Sequence, residues 1–327
     1  MNLALAATLF AAVAMPAAAG DLQIVSVGDG VYAFIPTDAA IDAERAISNS
    51  AAVVLHDGVL LYDSHLTPAL VEEALALLRG VTDKPVRYVV DSHWHGDHTG
   101  GDWAYAKDVE RITHHATRER LIEFYAKAPQ ELPQSIAQTE KDAAAATDPK
   151  RKQALETTLR LDRELLARIQ SGGAPLPTLT FDSKVVLHRG RRVEVYFLGR
   201  GHTDGDAVVV LPAEKIVFLG DLVFAGAHPF LRDAYSHEWI ATLEKVLSLG
   251  AERFVPGHGP VSGPDQAREQ IAYLVWLRGA VEPYVWKGSL EQAQKAIAPP
   301  ERYAKYRWIE LLAGNIAKVY GEIKEGR

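Results

Sequence analysis

Six consecutive residues, His93-Trp94-His95-Gly96-Asp97-His98, gather three imidazoles and a carboxylate into little more than one turn of chain. The chain has no cysteine, so any metal must be held by His, Asp or Glu. On an extended segment residues two apart point the same way, whereas on a helix they diverge, so His93 and His95 can share one ion. Gly96 permits a turn that aims Asp97 and His98 at a second point nearby. Three more polar residues stand in glycine turns or directly after apolar runs: His202 in Gly199-Arg200-Gly201-His202-Thr203, Asp221 in Phe218-Leu219-Gly220-Asp221, and His258 in Pro256-Gly257-His258-Gly259. Together these nitrogen and oxygen donors suffice for two divalent ions, with Asp221 able to bridge them.

The elements that must position these residues can be read from hydrophobic periodicity. Residues Ile24 to Pro36 are β-rich, and Ala51 to Asp63 forms two apolar runs around Asp57-Gly58, a hairpin signal. Leu66 to Arg79 has helical spacing closed by Gly80, and Val86 to Val90 reads as a buried strand that delivers the histidine-rich stretch at its end. From about His115 to Gln170 the pattern is helical, with a second start at Asp148-Pro149, so an all-α insertion of about fifty residues is expected. Two hairpins follow: Lys184–Leu187 with Val193–Leu198, and Ala207–Leu211 with Lys215–Leu219. Ser236 to Leu249 reads as a helix, Phe254-Val255 as a short strand, and the chain from Gln266 as helices. The aromatic and leucine spacing of Tyr303, Tyr306, Trp308, Leu311 and Leu312 predicts a face packed on the body of the protein. The coarse doubling, β-rich then helical in each half, is what two stacked sheets with outer helices require.

In their order, Asp91-Ser92-His93-Trp94-His95-Gly96-Asp97-His98-Thr99-Gly100-Gly101, Gly199-Arg200-Gly201-His202-Thr203-Asp204-Gly205-Asp206, Phe218-Leu219-Gly220-Asp221 and Pro256-Gly257-His258-Gly259 make the sequence resemble the metallo-β-lactamase superfamily over most of its length. The resemblance implies an α+β fold, a four-layer αββα sandwich with the metals at one edge, here with a helical insertion and C-terminal helices. It implies two Zn2+, with His93, His95 and His202 on one, Asp97, His98 and His258 on the other, and Asp221 between them. Asp63 then matches an upstream acid that supports the histidine loop, and Thr203 and Asp206 match a turn expected to hold imidazoles in one orientation. Two departures refine this expectation. Zinc β-lactamases of two subclasses carry Cys where Asp221 stands and those of the third lack an acid there, so Asp221 points to the broader branch that resembles glyoxalase II and lactonases. The second departure is the insertion itself, long enough to cap the site or make a dimer contact. The expected chemistry is attack of a metal-bridging hydroxide on an ester, thioester, lactone or lactam carbonyl, with Asp97 as catalytic proton relay to the leaving group. Trp94 and His228 are candidates for the substrate pocket. The alternatives are a functional β-lactamase, as main or side activity, and an iron-dependent redox enzyme on the same fold.

Composition agrees with a folded chain acting on a small molecule. Of 327 residues 48% are hydrophobic and 24% charged, which excludes a disordered or collagen-like chain. A net charge of −7 offers no electrostatic footprint for nucleic acid. Residues 1–19 have signal-peptide grammar: an uncharged apolar run, Pro16, then Ala17-Ala18-Ala19, with a cut expected before Gly20. The run is shorter than the roughly 20 residues of a membrane span, so no stable membrane anchor is expected and the location should be periplasmic or secreted. The domain division that follows is 1–19 signal peptide, 20–263 αββα domain with the insertion at about 115–172, and 264–327 helical extension. The sequence carries no signal for the oligomeric state.

Overall fold

A computed structural model describes residues 20–38, 40 and 47–327; the expected signal segment lies outside them. Two sheets form the centre. Strands β1 (Leu22–Gly28), β2 (Val31–Pro36), β3 (Ser50–Val54), β4 (Val59–Tyr62), β5 (Val86–Val90), β6 (Glu110–His114) and β7 (Leu179–Phe181) lie side by side in chain order. The second sheet runs β12-β11-β10-β9-β8, from β8 (Lys184–His188), β9 (Arg192–Phe197), β10 (Ala207–Leu211), β11 (Ile216–Phe224) and β12 (Arg253–His258). The predicted hairpins are present as β3–β4, β8–β9 and β10–β11, all antiparallel, while β11 and β12 run parallel. Strand β7 had no counterpart in the sequence reading, because Pro175 and Pro177 interrupt the run that leads into it.

The period-two alternation of side chains sorts these strands into layers. From β10, Ala207, Val209 and Leu211 join Val53, Leu60 and Tyr62 of the first sheet in the core between the sheets. Val208 and Val210 point the other way, into a core shared with helices α5 (Ser236–Ser248), α6 (Pro264–Lys287) and α9 (Leu311–Lys324). On the opposite outer face Ala52, Val59 and Leu61 pack against Leu70, Ala74 and Leu78 of helix α1 (Pro68–Leu78). The layers are therefore helix, sheet, sheet and helix. Burying Trp239, Tyr273, Tyr303 and their apolar neighbours on the second sheet contributes about 1.5–3 kcal/mol per large side chain.

Between β6 and β7 the chain leaves the sandwich as two long helices, α3 (His115–Ala145) and α4 (Pro149–Gly172). Asp148 caps the second by accepting from the N–H groups of Lys150 and Arg151. The base of this insertion is tied to the turn that carries His202: Thr117 Oγ1 donates to Gly205 O at 2.9 Å, and Arg120 pairs with Asp204 at 2.7 Å.

The last helix is pinned by one buried carboxylate. Glu322, 3% exposed, accepts from the N–H and hydroxyl of Ser236 at the start of α5 and pairs with Arg278 of α6. An anion at a helix N-terminus is favoured by the exposed N–H groups there. Replacing Glu322 by Ala leaves both partners without their acceptor, so urea unfolding should lose about 3 kcal/mol. A loss below about 1 kcal/mol would show that this tether is not needed.

Candidate metal centre

The strands bring the candidate residues to one edge of the sandwich. His93 lies just beyond β5; His95 stays extended (φ −68°, ψ 147°) and starts a single helical turn, α2 (Gly96–Thr99), which turns Asp97 and His98 inward. His202 sits in the turn before β10, and His258 ends β12. Asp221, expected after its strand, lies inside β11, which continues to Phe224. It fits there because its neighbours lack side chains. Gly220 has a φ of 50°, and a Cβ on Gly257 would stand 2.0 Å from Asp221 Oδ1.

Two groups of donor atoms result, each within 4.8 Å of one another: His93, His95, His202 and Asp221 in one, Asp97, His98, Asp221 and His258 in the other. In the first, His95 Nδ1 is 3.1 Å from His93 Nε2 and 2.8 Å from His202 Nε2, and Asp221 Oδ2 is 3.3 Å from His202 Nε2. In the second, Asp221 Oδ1 is 3.1 Å from His98 Nε2 and 3.4 Å from His258 Nε2, while Asp97 Oδ2 is 3.1 Å from His258 Nε2. Asp221 thus gives one oxygen to each group.

Hydrogen bonds behind the rings decide which nitrogens face inward. Ser92 donates its hydroxyl to Asp63 at 2.9 Å, so the His93 Nδ1–H donates to Ser92 Oγ and Nε2 keeps its lone pair. His98 donates its Nδ1–H to Asp63 at 2.7 Å. Asp63 itself is buried, holds a φ of 62°, and accepts the Ser92 N–H as well. His95 donates its Nε2–H to Asp233 at 3.0 Å, turning Nδ1 toward the group. Three lone pairs converging at about 3 Å repel unless a cation stands among them, so the donor set fits a metal ion.

Burial opposes every charge here. It pushes the His93 and His202 rings well below the usual imidazole range, His202 to about 3. At His98 and His258 burial acts the same way, but Asp221 and Asp97 overcome it, lifting His98 well above the ordinary value and His258 to about 9. Asp221 and Asp97 stay well below the carboxylate range despite burial, held down by the neighbouring histidines. Asp233, half-buried, is held at about 2 by the bond from His95 and by Arg232.

Not every sequence-predicted residue falls where it was expected. Thr203 and Asp206 bond each other, Thr203 N and Oγ1 donating to the Asp206 carboxylate, so they lock the turn rather than a ring. His202 Nδ1 has no hydrogen-bond partner among the described residues. His228 corrects the pocket expectation: it is fully buried, its Nδ1 2.8 Å from the Tyr273 hydroxyl, and packed on Tyr306. Trp94 does line the cavity above the metal groups. That cavity, of about 1090 Å³, is roofed by the insertion through Phe124, Tyr125, Leu161 and Leu165, so the insertion caps the site. From the C-terminal extension Tyr303 and Leu312 are buried and Tyr306 and Trp308 pack against the same core, as expected, while Trp308 and Leu311 also line the cavity. The sequence reading missed Ser92, Asp233 and Arg307, of which only Ser92 had a signal, its place beside the histidine-rich stretch.

Comparison with known proteins gives one family. The model of the metallo-beta-lactamase superfamily matches residues 43–258. A type 2 metallo-beta-lactamase of Bacteroides fragilis is 26% identical over 254 residues, 75% of this chain and 82% of that one. A linear primary-alkylsulfatase of Pseudomonas sp. (strain ATCC 19151) is 24% identical over 289 residues, 82% of this chain and 52% of the relative. Among solved structures, a metallo-beta-lactamase from Pontibacter korlensis superposes with a TM-score of 0.55 at 23% identity, covering 78% of this chain and 99% of that one, a likeness of fold.

At pH 7, below both raised values, His98 and His258 carry protons in the metal-free protein. A ligand ring must be neutral, so metal loading at pH 7 should release protons from His98 and His258, about two per chain, and affinity should rise with pH until both rings have titrated. Calorimetry in buffers of different ionisation enthalpy reads that number directly. Release of none would contradict the assignment of these two rings as ligands.

Proposed function

Because the chain belongs to the metallo-beta-lactamase superfamily, whose members it matches are metal-dependent hydrolases, we propose that it is an exported dinuclear zinc hydrolase of small carbonyl compounds: esters, thioesters, lactones or lactams. The observation that carries this reading is the sharing of Asp221 between two complete donor groups at the floor of a capped cavity. Neutral imidazoles with one shared carboxylate suit zinc, although donor type alone does not fix the metal. Divalent cations in the two groups would acidify a water toward neutrality and polarise the scissile carbonyl.

The chain's own residues supply the rest. Asp63, Ser92 and Asp233 fix the tautomers of His98, His93 and His95, so the donor atoms need not reorganise during reaction. Asp97 is the most open of the ligand carboxylates, its side chain 19% exposed against 4% for Asp221, and it lines the cavity. From there it can take a proton and pass it to the leaving group. The cap contributes Phe124, Tyr125, Leu161 and Leu165 to the cavity wall, an apolar surface against which the non-reacting part of a substrate can pack. Export is supported by the signal-peptide grammar of residues 1–19. Lactam hydrolysis is the narrower second reading, favoured by the Bacteroides fragilis relative, a metallo-beta-lactamase.

Purified protein should hydrolyse at least one class in a panel of chromogenic esters, thioesters, lactones and β-lactams, lose the activity to a chelator and regain it with zinc. The His95→Ala variant should lose more than the roughly 10- to 100-fold that orienting partners carry. An unchanged rate in His95→Ala, or a rate indifferent to chelation, would sink the proposal.

A further inference from the structure

Arg307 and Trp308 lie between helix α8 (Glu301–Ala304) and α9, far from the metal-binding motifs in sequence, yet both line the metal cavity. The backbone holds them there. Arg307 N donates to Gly226 O at 3.1 Å and His228 N donates to Arg307 O at 2.9 Å, a parallel bridge onto the segment that follows the Asp221 strand. Trp308 has a φ of 62°, a backbone conformation that a bulky residue rarely adopts and that persists only where its surroundings impose it. Its ring stands edge-on to the His258 ligand ring, centroids 5.0 Å apart, and also meets Phe224. The strained residue therefore stands directly against a metal ligand.

The Arg307 guanidinium lies over the Trp308 ring, Cζ 5.0 Å from its centroid. Among the described residues no carboxylate pairs with it. Arg232, on the same cavity, differs: it is paired with Asp233 and lies over Phe230. Half-burial pushes the Arg307 guanidinium below its ordinary pKa with no carboxylate to offset it, although it stays charged at any working pH. Asp162, on the cap wall, is likewise pushed up by burial alone, so these two charges do not neutralise each other. A charged, desolvated fork without a partner on a cavity wall is complementary to an anion. Around it the walls are mixed: Trp94, Trp103, Phe124, Tyr125, Leu161 and Leu165 make an apolar stretch, and Lys150, Arg168, Glu164 and Glu310 add charges of both signs.

We propose that Arg307 binds an anionic group of the substrate, so that the substrate class is an amphipathic acyl compound: a hydrolysable carbonyl, an anion held by Arg307, and an apolar portion held under the cap. The word substrate rests on the hydrolase reading above; the anion site rests on the cavity alone.

The test is binding of two isosteric probes, 4-phenylbutyrate and 4-phenylbutyramide, to the purified zinc-loaded protein, followed by tryptophan fluorescence. The wild type should prefer the carboxylate by about tenfold or more, as a charge-assisted bond implies. Arg307→Gln should reduce that preference to within about twofold, and Arg307→Lys should keep part of it. Equal affinities in the wild type overturn the proposal without any variant. A preference that survives Arg307→Gln, at unchanged zinc content and melting temperature, also overturns it by placing the anion on the metals. Turnover of 4-nitrophenyl hemisuccinate and 4-nitrophenyl butyrate is measured beside this. If neither is cleaved, the ester-hydrolase reading suffers while the probe preference still decides the anion site.

Discussion

The fold is built around a charge problem at Asp221. Its carboxylate is 4% exposed, lies inside a strand buried along its whole length, and must serve two groups of imidazoles at once. An isolated carboxylate in such a place would be driven to take up a proton. His98 and His258, lifted above the ordinary imidazole range, prevent that from one oxygen, while His202 and His93 face the other. Those four arrive from separate elements, the ends of β5 and β12, a helical turn and the loop before β10, so the ligand geometry exists only when both sheets are assembled. Gly220 and Gly257 complete the arrangement, because a side chain at either position would occupy space that Ser92 or the carboxylate already fills.

Around this centre each hydrogen bond has a directional consequence. Asp63 receives one proton from His98 and one from Ser92, and Ser92 thereby accepts from His93. Asp233 does for His95 what Asp63 does for His98, but from the far side, through the loop that also carries Phe230 and Arg232. The metal-free site thus offsets much of its charge internally, two imidazolium rings against Asp97, Asp221 and Asp63, and a cation entering it exchanges with protons. The insertion adds enclosure. Its base bonds to the loop of His202 and its helices supply the roof, so the cap and the turn that carries His202 share one anchor.

Much of this was legible because the histidine-rich stretch is local: six residues fix two half-sites through the alternation of an extended segment and one helical turn. The hairpins were equally plain, since Asp57-Gly58 and the apolar runs beside it follow a period of two. What was not legible depends on contacts between distant segments. Asp233 reaches His95 across 138 residues of chain, and its loop has neither periodicity nor motif. His228, polar and close after Asp221, looked like a pocket residue. The bridge between Ala227 and Arg307 instead puts the backbone of the C-terminal segment beside it, His228 turns to Tyr273 and Tyr306, and Arg307 takes the place on the cavity wall. Hydrophobic spacing in Tyr303, Tyr306, Trp308, Leu311 and Leu312 correctly indicated packing for Tyr303 and Leu312. It could not show that Trp308, packed on the same core but in a left-handed conformation, would also line the cavity.

The central claim is that Asp221 joins two metal positions into one centre. Anomalous scattering from crystals of the zinc-loaded protein, recorded on either side of the zinc edge, tests it most directly. Two peaks, one in each donor group with Asp221 between them, are the predicted result. A single peak, or two peaks of which either lies away from Asp221, would contradict it.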